Sequence, residues 1–546
     1  MDLTNISNYH LLDILTKFST NHMVQKIYST TLSGLRSQLI EIEIDISPSI
    51  PTMLIVGLPD KAVQESRERV KTAIAQSGFE FPMGKITVNL APANLIKAGT
   101  QFDLPIAVGI LKQAGYIKAK TTTKSGTLLE NFWDKSIFAG ELSLDGSLRS
   151  VNGVLSIGLY AVQNNFEYLF VPKSNLNEAR MVQGIKVFAI ETLSELVGFF
   201  NGTLELVPVE PIDFKTLLKS PENTIHPNDM AYIKGQTVAK RALEIAASGG
   251  HNAMFVGQPG SGKTLLAKSF GTILPMMSEQ EILEVTQVYS IAGLLDANQI
   301  MTKRPFRSPH HTASHISMIG GGLKLRPGEV SLSHRGVLFL DEFPEFGRDT
   351  LEALRQPLED GVVQISRAVG SVQYPAKFCF LAAANPTPSG FESGDALATT
   401  KSVSPKAIAR YQAKFSGPIM DRIDIFVQVN RPSKDELQSK ILSESSYQIA
   451  TRVQQARDIQ IARFGERSAV TCNSEMNLQQ IQEFCQLDKP TEELMSKAID
   501  KFKLSARSYM RILKLSRTIA DLDGNNTGGN ILFAHLSEAL QFRNKM

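Results

Sequence analysis

Hydrophobic and polar positions come to alternate with period two within residues 31–45, ending Leu39-Ile40-Glu41-Ile42-Glu43-Ile44-Asp45-Ile46. Such alternation predicts a β-strand with one face toward a core and one toward water. Shorter strand-like runs fall at Met53–Val56, Ile86–Leu90, Ile137–Ala139, Tyr168–Val171 and Val187–Ile190. Helical periodicity covers Lys61–Ser77 and Asp103–Gly115 and recurs near Gly153–Gln163. Together these predict an α+β domain over residues 23–206, preceded by a polar, weakly helical extension, 1–22. Pro208, Pro211, Pro221 and Pro227 mark residues 207–228 as a linker.

From residue 229 the pattern changes. Ala253-Met254-Phe255-Val256, Val337-Leu338-Phe339-Leu340, Phe378–Ala384 and Ile423–Val429 are nearly continuous apolar runs separated by helical segments. Runs of that kind predict an α/β core over 229–432, with a parallel sheet buried on both faces. Residues 433–546 carry 3.6-residue patterns, as from Leu504 to Ile519 and from Leu532 to Phe542, and predict a helical lid.

The first run of this core leads into Gly257-Gln258-Pro259-Gly260-Ser261-Gly262-Lys263-Thr264, with a helix opening at Leu265. This is a complete G-x-x-x-x-G-K-[ST] phosphate loop between a strand and a helix, the context the motif requires. Its backbone N–H groups and the helix N-terminus cradle phosphates. Lys263 is expected on the β- and γ-phosphates of ATP, and Thr264 on Mg²⁺. The run at 337–340 ends in Asp341-Glu342, placing Asp341 as a second Mg²⁺ ligand and Glu342 as the group that polarises an attacking water. Asn385 ends the next run, where it can touch the water or γ-phosphate. Arg422 and Arg507 carry guanidinium groups suited to charge developing on a transferred phosphoryl group, though each has an ordinary alternative in a surface ion pair.

Composition adds limits. A net charge of +3 over 546 residues makes any basic surface local. Cys379, Cys472 and Cys485 form no C-x-x-C pair, which fits a reducing cytoplasm. No apolar run is long enough to span a bilayer. Between the phosphate loop and Asp341 lie Arg304, Arg307, Lys324 and Arg326, close to Gly320-Gly321-Gly322. Residues 362–374 read as a β-hairpin with Gly370 at its tip and Arg367 on one strand. Lys324, Arg326 and Arg367 could meet a nucleic-acid backbone, or form a solvated charged loop. His310, His311 and His315 have no carboxylate or cysteine at ligand spacing, which weighs against a metal site.

Taken together, the phosphate loop, Val337–Glu342, Asn385, SGPIMDRIDIFV and SARSYMRILKLSRTIADL resemble the magnesium-chelatase-like AAA+ ATPases. IVGLPDKAVQESRERVKTAI, ITVNLAPANLIKAGTQFDLPIAVGIL, RPFRSPHHTAS and GGLKLRPGEVSLSHRGVLFLDEFPEF are similar to signatures of the ComM/YifB group within them, over roughly residues 23–543. The resemblance implies three parts: a Lon-protease-like domain of the ribosomal-protein-S5 type, an AAA+ core and a helical lid. It also implies a homo-hexameric ring with nucleotide between subunits, in which Arg422 is the finger reaching a neighbour and Arg507 is the sensor of the lid. Members of the group resemble branch-migration helicases that act on single-stranded and branched DNA during natural transformation, beside recombination proteins. The PHH element around His310 and His311 then suggests a structural or nucleic-acid-contacting role.

The chain departs from these patterns in three places. A Lon-type protease needs a Ser–Lys dyad, but Gln101 and Leu155 stand at the aligned positions. A four-cysteine zinc knuckle common after the asparagine is replaced by Asn385-Pro386-Thr387-Pro388-Ser389-Gly390, so no zinc is expected. The group usually begins near Met23, which makes Met23 a candidate initiator. Three other functions fit parts of the sequence: a magnesium-chelatase subunit, an ATP-dependent protease, and a scaffold that binds ATP without turnover. The extra N-terminal domain, the missing dyad and the intact Lys263, Asp341 and Glu342 weigh against them in turn.

Overall fold

The computed structural model describes residues 24–118, 122–123, 126–127, 132–218, 226–296, 299–322, 325–367, 370–387, 411, 419–465, 468–524 and 529–543. Residues 1–22, Met23, Lys324 and Pro388–Gly390, which figured in the sequence expectations, lie outside them. The chain divides into two units, Met1–Ile212 with Gly293–Ile300, and Asp213–Ala292 with Met301–Met546.

In the first unit the alternating segment is half of a hairpin. Strands β1 (Gln25–Ser33) and β2 (Arg36–Ser47) pair antiparallel around a turn containing Gly34. The single strand expected within 31–45 is thus the second of two, and β1 escapes the alternation because Ser29, Thr30 and Thr31 are buried where polarity predicts exposure. With β3 (Thr52–Val56), β4 (Lys85–Ala91), β5 (Ser136–Phe138), β6 (Tyr168–Pro172) and β7 (Lys186–Ile190) they form a mixed sheet ordered β7-β6-β5-β1-β2-β4-β3. Helices α1 (Lys61–Gln76), α2 (Asp103–Gln113) and α3 (Val154–Gln163) follow the predicted periodicity, and α4 (Leu193–Phe200), opened by a capping box of Thr192 and Glu195, is an addition to it.

The dyad positions are structural. Gln101 is buried and its side-chain amide donates to the Ala98 carbonyl at 2.9 Å, while Leu155 is fully buried in α3. Neither side chain can attack a peptide bond. Purified protein is expected to leave casein intact with and without ATP; release of acid-soluble fragments would show the expectation wrong.

In the second unit, β8 (Ala253–Val256), β9 (Phe306–Arg307), β12 (Val337–Leu340), β15 (Cys379–Ala384) and β16 (Ile425–Gln428) form a parallel sheet ordered β9-β12-β15-β8-β16. Every residue of β8, β12 and β15 is buried, as the unbroken apolar runs require. Between β9 and β12 a short ribbon pairs β10 (Gly320–Gly321) with β11 (Arg326–Pro327). Between β12 and β15 a hairpin pairs β13 (Val362–Arg367) with β14 (Gly370–Pro375). Its register sets Arg367 opposite Gly370, so Gly370 opens the second strand.

Helix α5 (Thr237–Gly249) packs between this sheet and two lid helices, α9 (Ser446–Phe464) and α11 (Ala506–Leu522). The elements between them, α6 (Lys263–Phe270), α7 (Glu279–Ala292) and α8 (Arg355–Asp360), belong to the core. A buried ionic knot joins the two lid helices. Asp521 accepts from Arg517 Nε at 3.0 Å, from Arg463 at 2.5 and 2.9 Å, and from Asn473 Nδ2 at 2.8 Å. Removing the acid would strand two buried guanidinium groups. Asp521→Leu is therefore expected to cost about 3–5 kcal/mol of stability, read as a lowered denaturant midpoint.

Candidate nucleotide site

The phosphate loop leaves the C-terminal end of β8 and α6 begins at Lys263. Gly257 lies so close to β16 that a Cβ there would sit 2.2 Å from the Val429 carbonyl oxygen, and Gly262 caps α6 at φ +94°, a conformation that favours glycine. Lys263 is nearly enclosed. Its ammonium donates to the carbonyls of Gly257 (2.6 Å) and Gln258 (2.9 Å) and to Asn385 Oδ1 (3.1 Å). Burial holds its pKa below the ordinary lysine value, with Asp341 pulling the other way. Oxygen acceptors already surround this ammonium as phosphate oxygens would. The Thr264 hydroxyl donates to Asp341 Oδ2 at 2.7 Å, so two hard oxygen donors meet where Mg²⁺ would need them. The residues present fit a magnesium nucleotide.

Glu342 follows Asp341 with its backbone left-handed at φ +50°, ending the strand's alternation, and its side chain is 58% exposed. His311 Nδ1 lies 3.2 Å from Glu342 Oε2, and the His310 ring packs on His311 at 4.1 Å. His311 thus touches the acid that motif reading had singled out, a contact that no spacing between residues 311 and 342 announces. His315 instead opens the helix His315–Ile319 behind its cap, Ser314.

Other neighbours of the loop were not legible either. Gln236 Nε2 donates to the Ser261 carbonyl at 3.4 Å and the Asn430 carbonyl at 2.5 Å, and Arg431 donates to the Pro259 carbonyl at 3.1 Å. Their only advance signal is position: one precedes the helix before β8, the other follows β16. Ser261 is buried and Leu265 is exposed on α6. Tyr411, its phenol pushed up to about 12 by burial, donates to the Asn385 carbonyl at 2.8 Å.

The two arginines are elsewhere. Arg422 precedes β16 and Arg507 opens α11; both donate to Glu359, Arg507 at 2.5 Å. They line a cavity of about 730 Å³ with His251, Gly336, Phe378 and Asp424, residues that come just before β8, β12, β15 and β16. Lys263, Asp341 and Asn385 come just after β8, β12 and β15. Since the strands are parallel, the arginines and the phosphate loop lie at opposite ends of one sheet, with four-residue strands rising about 13 Å between them. Arg511 and Lys514 add charge to the cavity. Burial lowers the pKa of each; Arg511 Nε lies 3.5 Å from Asp424 Oδ1, and Lys514 donates to the Ser474 carbonyl at 2.8 Å.

Of the basic residues suggested for DNA, Arg326 is exposed in β11 and Arg367 ends β13. Arg304 and Arg307, in the same segment as Arg326, are committed internally. Arg304 pairs with Glu281 at 2.7 Å and donates to the Pro275, Met276 and Arg335 carbonyls; Arg307 pairs with Glu329 at 2.6 Å. Among the described residues, no three His, Cys, Asp or Glu side chains gather as metal ligands, and no helix is long and apolar enough to cross a membrane.

Three family profiles match: "Magnesium chelatase, subunit ChlI" over 229–437, "Subunit ChlI of Mg-chelatase" over 42–175 and "Magnesium chelatase, subunit ChlI C-terminal" over 443–543. The chain is 41% identical over 519 residues to the Competence protein ComM of Haemophilus influenzae, covering 95% of this chain and 97% of that one. It is 36% identical over 518 residues to the uncharacterized protein YifB of Escherichia coli, covering 95% and 96%. An uncharacterized protein of Mycobacterium tuberculosis is 37% identical over 523 residues, covering 95% and 98%. With its loop, its acidic strand end and its split arginines on a parallel sheet, the chain belongs to the ComM/YifB family of magnesium-chelatase-like AAA+ proteins.

Proposed function

We propose that this protein is an ATP-driven DNA motor that works as a ring, with each ATP held at a seam between two copies. The observation that carries this reading is the split just described: the loop with its acids and asparagine lies at one sheet end, Arg422 and Arg507 at the other. A catalytic set divided in that way is complete only when a second copy presents its arginines. Head-to-tail contacts of that kind close into rings, and a hexamer is the state proposed.

Within one seam, Lys263 and the loop from Gly257 to Leu265 hold the triphosphate, and Thr264 and Asp341 hold Mg²⁺. The metal supplies charge neutralisation and templating at the phosphates. Glu342, oriented by His311, takes the proton of the attacking water. Asn385 fixes the loop lysine and the water, and the neighbour's Arg422 and Arg507 meet the charge of the transferred phosphoryl. Lys324, Arg326 and Arg367 lie on the two insertions that would face a strand of DNA in the ring. The printed name of the Haemophilus influenzae relative supports a role in competence. Branch migration during integration of single-stranded DNA, beside recombination proteins, is the proposed activity.

The test is ATP hydrolysis and branch migration on a synthetic three- or four-way junction, with DNA affinity measured across a salt series. Log affinity should fall with log salt at a slope of about −0.7 per contacted single-strand phosphate, and Arg326→Ala with Arg367→Ala should flatten it. Hydrolysis by an intact ring without DNA stimulation or salt-dependent DNA affinity would refute the motor. Loss of transformation in a knockout with unchanged tetrapyrrole levels would separate it from a chelatase.

A further inference from the structure

Glu359 belongs to no motif, yet the two arginines assigned to the neighbour's nucleotide both end on it. Arg422 Nη2 holds Oε2 and Arg507 Nη2 holds Oε1, across 63 and 148 residues of chain respectively. The three partners differ in burial. The Arg422 side chain is 8% exposed, whereas those of Glu359 and Arg507 are 45% and 50% exposed. The carboxylate is therefore reachable from solvent and replaceable, while the deeper arginine is held in place by its surroundings. The Arg422 guanidinium keeps the Glu359 carboxyl below its usual range, so it is an anion at neutral pH.

Glu359 also stands at the foot of the hairpin. It lies in the last turn of α8, which Gly361 caps, and β13 starts at Val362. The Ala376 N–H closes the hairpin base on the Gly361 carbonyl at 2.7 Å. Farther up, the Tyr374 hydroxyl donates to the Leu325 carbonyl at 2.8 Å, beside Arg326 on the other insertion. One carboxylate thus touches both arginines and sits within three residues of the strand that ends in Arg367.

We infer that Glu359 is an internal stand-in for the neighbour's phosphate: it holds Arg422 and Arg507 until a second copy's nucleotide takes them, and its release is passed to the hairpin. The inference rests on the reading of these arginines as acting between copies. A carboxylate and a phosphate oxygen offer guanidinium the same planar, charge-assisted contacts, and the phosphate carries more charge. Assembly on nucleotide exchanges one anion for the other. Once released, Glu359 no longer ties α8 to the arginines, and α8 can move with the hairpin it leads into. By reciprocity, DNA that shifts the hairpin weakens the hold of Glu359 and favours the exchange. Glu359 is a positioning residue: it acts through the arginines and touches no substrate.

The experiment uses the full chain with ATP, Mg²⁺ and a single-stranded oligonucleotide. Glu359→Gln keeps length and an acceptor oxygen but removes the charge. Turnover is measured against protein concentration, with and without DNA, beside Arg422→Ala. Glu359→Gln should lower the protein concentration for half-maximal turnover by about 1.5-fold to fivefold, the range expected for a partly exposed ion pair. It should also raise turnover without DNA, so that the DNA stimulation ratio falls toward one. A wild-type midpoint, a wild-type stimulation ratio, or a loss of turnover as deep as that of Arg422→Ala overturns the inference while leaving the ring reading intact. Full turnover in Arg422→Ala overturns the ring reading itself. If Glu359→Gln melts at a lower temperature than wild type, Glu359→Asp serves: it keeps the charge on a stem too short to hold both arginines. It should shift both readouts in the same direction by less, and no shift overturns the inference.

Discussion

Arg422→Ala is expected to bind ATP with wild-type affinity and to lose ATP turnover by about 10³-fold or more, the scale on which an arginine finger acts in phosphoryl transfer. Binding survives because the residue is at the end of the sheet opposite its own phosphate loop. The fold survives because Glu359, the partner left behind, is 45% exposed, so water and Arg507 satisfy it. The decisive measurement is complementation. Lys263→Ala lacks the loop ammonium but presents an intact Arg422, whereas Arg422→Ala presents an intact loop. Neither hydrolyses alone. In an equimolar mixture of subunits in a head-to-tail ring, about one seam in four joins an intact loop to an intact arginine. Turnover should reappear at roughly that fraction of wild type. A mixture as inactive as its components would mean that each chain uses its own arginine, which strands rising about 13 Å between the groups make hard to arrange.

Glu342→Gln is the second large effect. The amide keeps length and can still meet His311, but it has no lone-pair charge with which to take a proton from water. Turnover should fall by about 10²–10⁴-fold, the usual worth of a positioned general base. Lys263, Thr264 and Asp341 are untouched, so affinity for MgATP and nucleotide-driven assembly should persist. Equilibrium binding of a fluorescent ATP analogue, with size measurement in the presence of ATP, checks both. Residual turnover near wild type would move the base elsewhere. Loss of binding would mean that the side chain shapes the pocket.

The two variants differ in how they could have been chosen. Lys263, Thr264, Asp341, Glu342 and Asn385 were legible because each ends or follows an apolar run, and a buried parallel strand delivers whatever follows it to one end of the sheet. The lid helices and most strands were legible for the same reason: their burial pattern is periodic. The hairpin at 25–47 was misread as one strand because buried hydroxyls on β1 imitate a solvent face. For Arg304 and Arg307 the sequence shows a charge without its partner; Glu281 and Glu329, which hold them, are 23 and 22 residues away. Glu359 has no local pattern at all, and its meaning comes from two residues brought to it from 63 and 148 positions away.

Sequence alone therefore determined the presence of the phosphate loop, the order of the strands' contents and the family. Those depend on short-range spacing and on periodic burial, which a linear chain carries in full. Which end of the sheet each charged group reaches, which arginines are already paired, and which acid they share were decided only by tertiary structure. An ion pair is set by distance in space, and folding makes near neighbours of residues that no spacing rule connects.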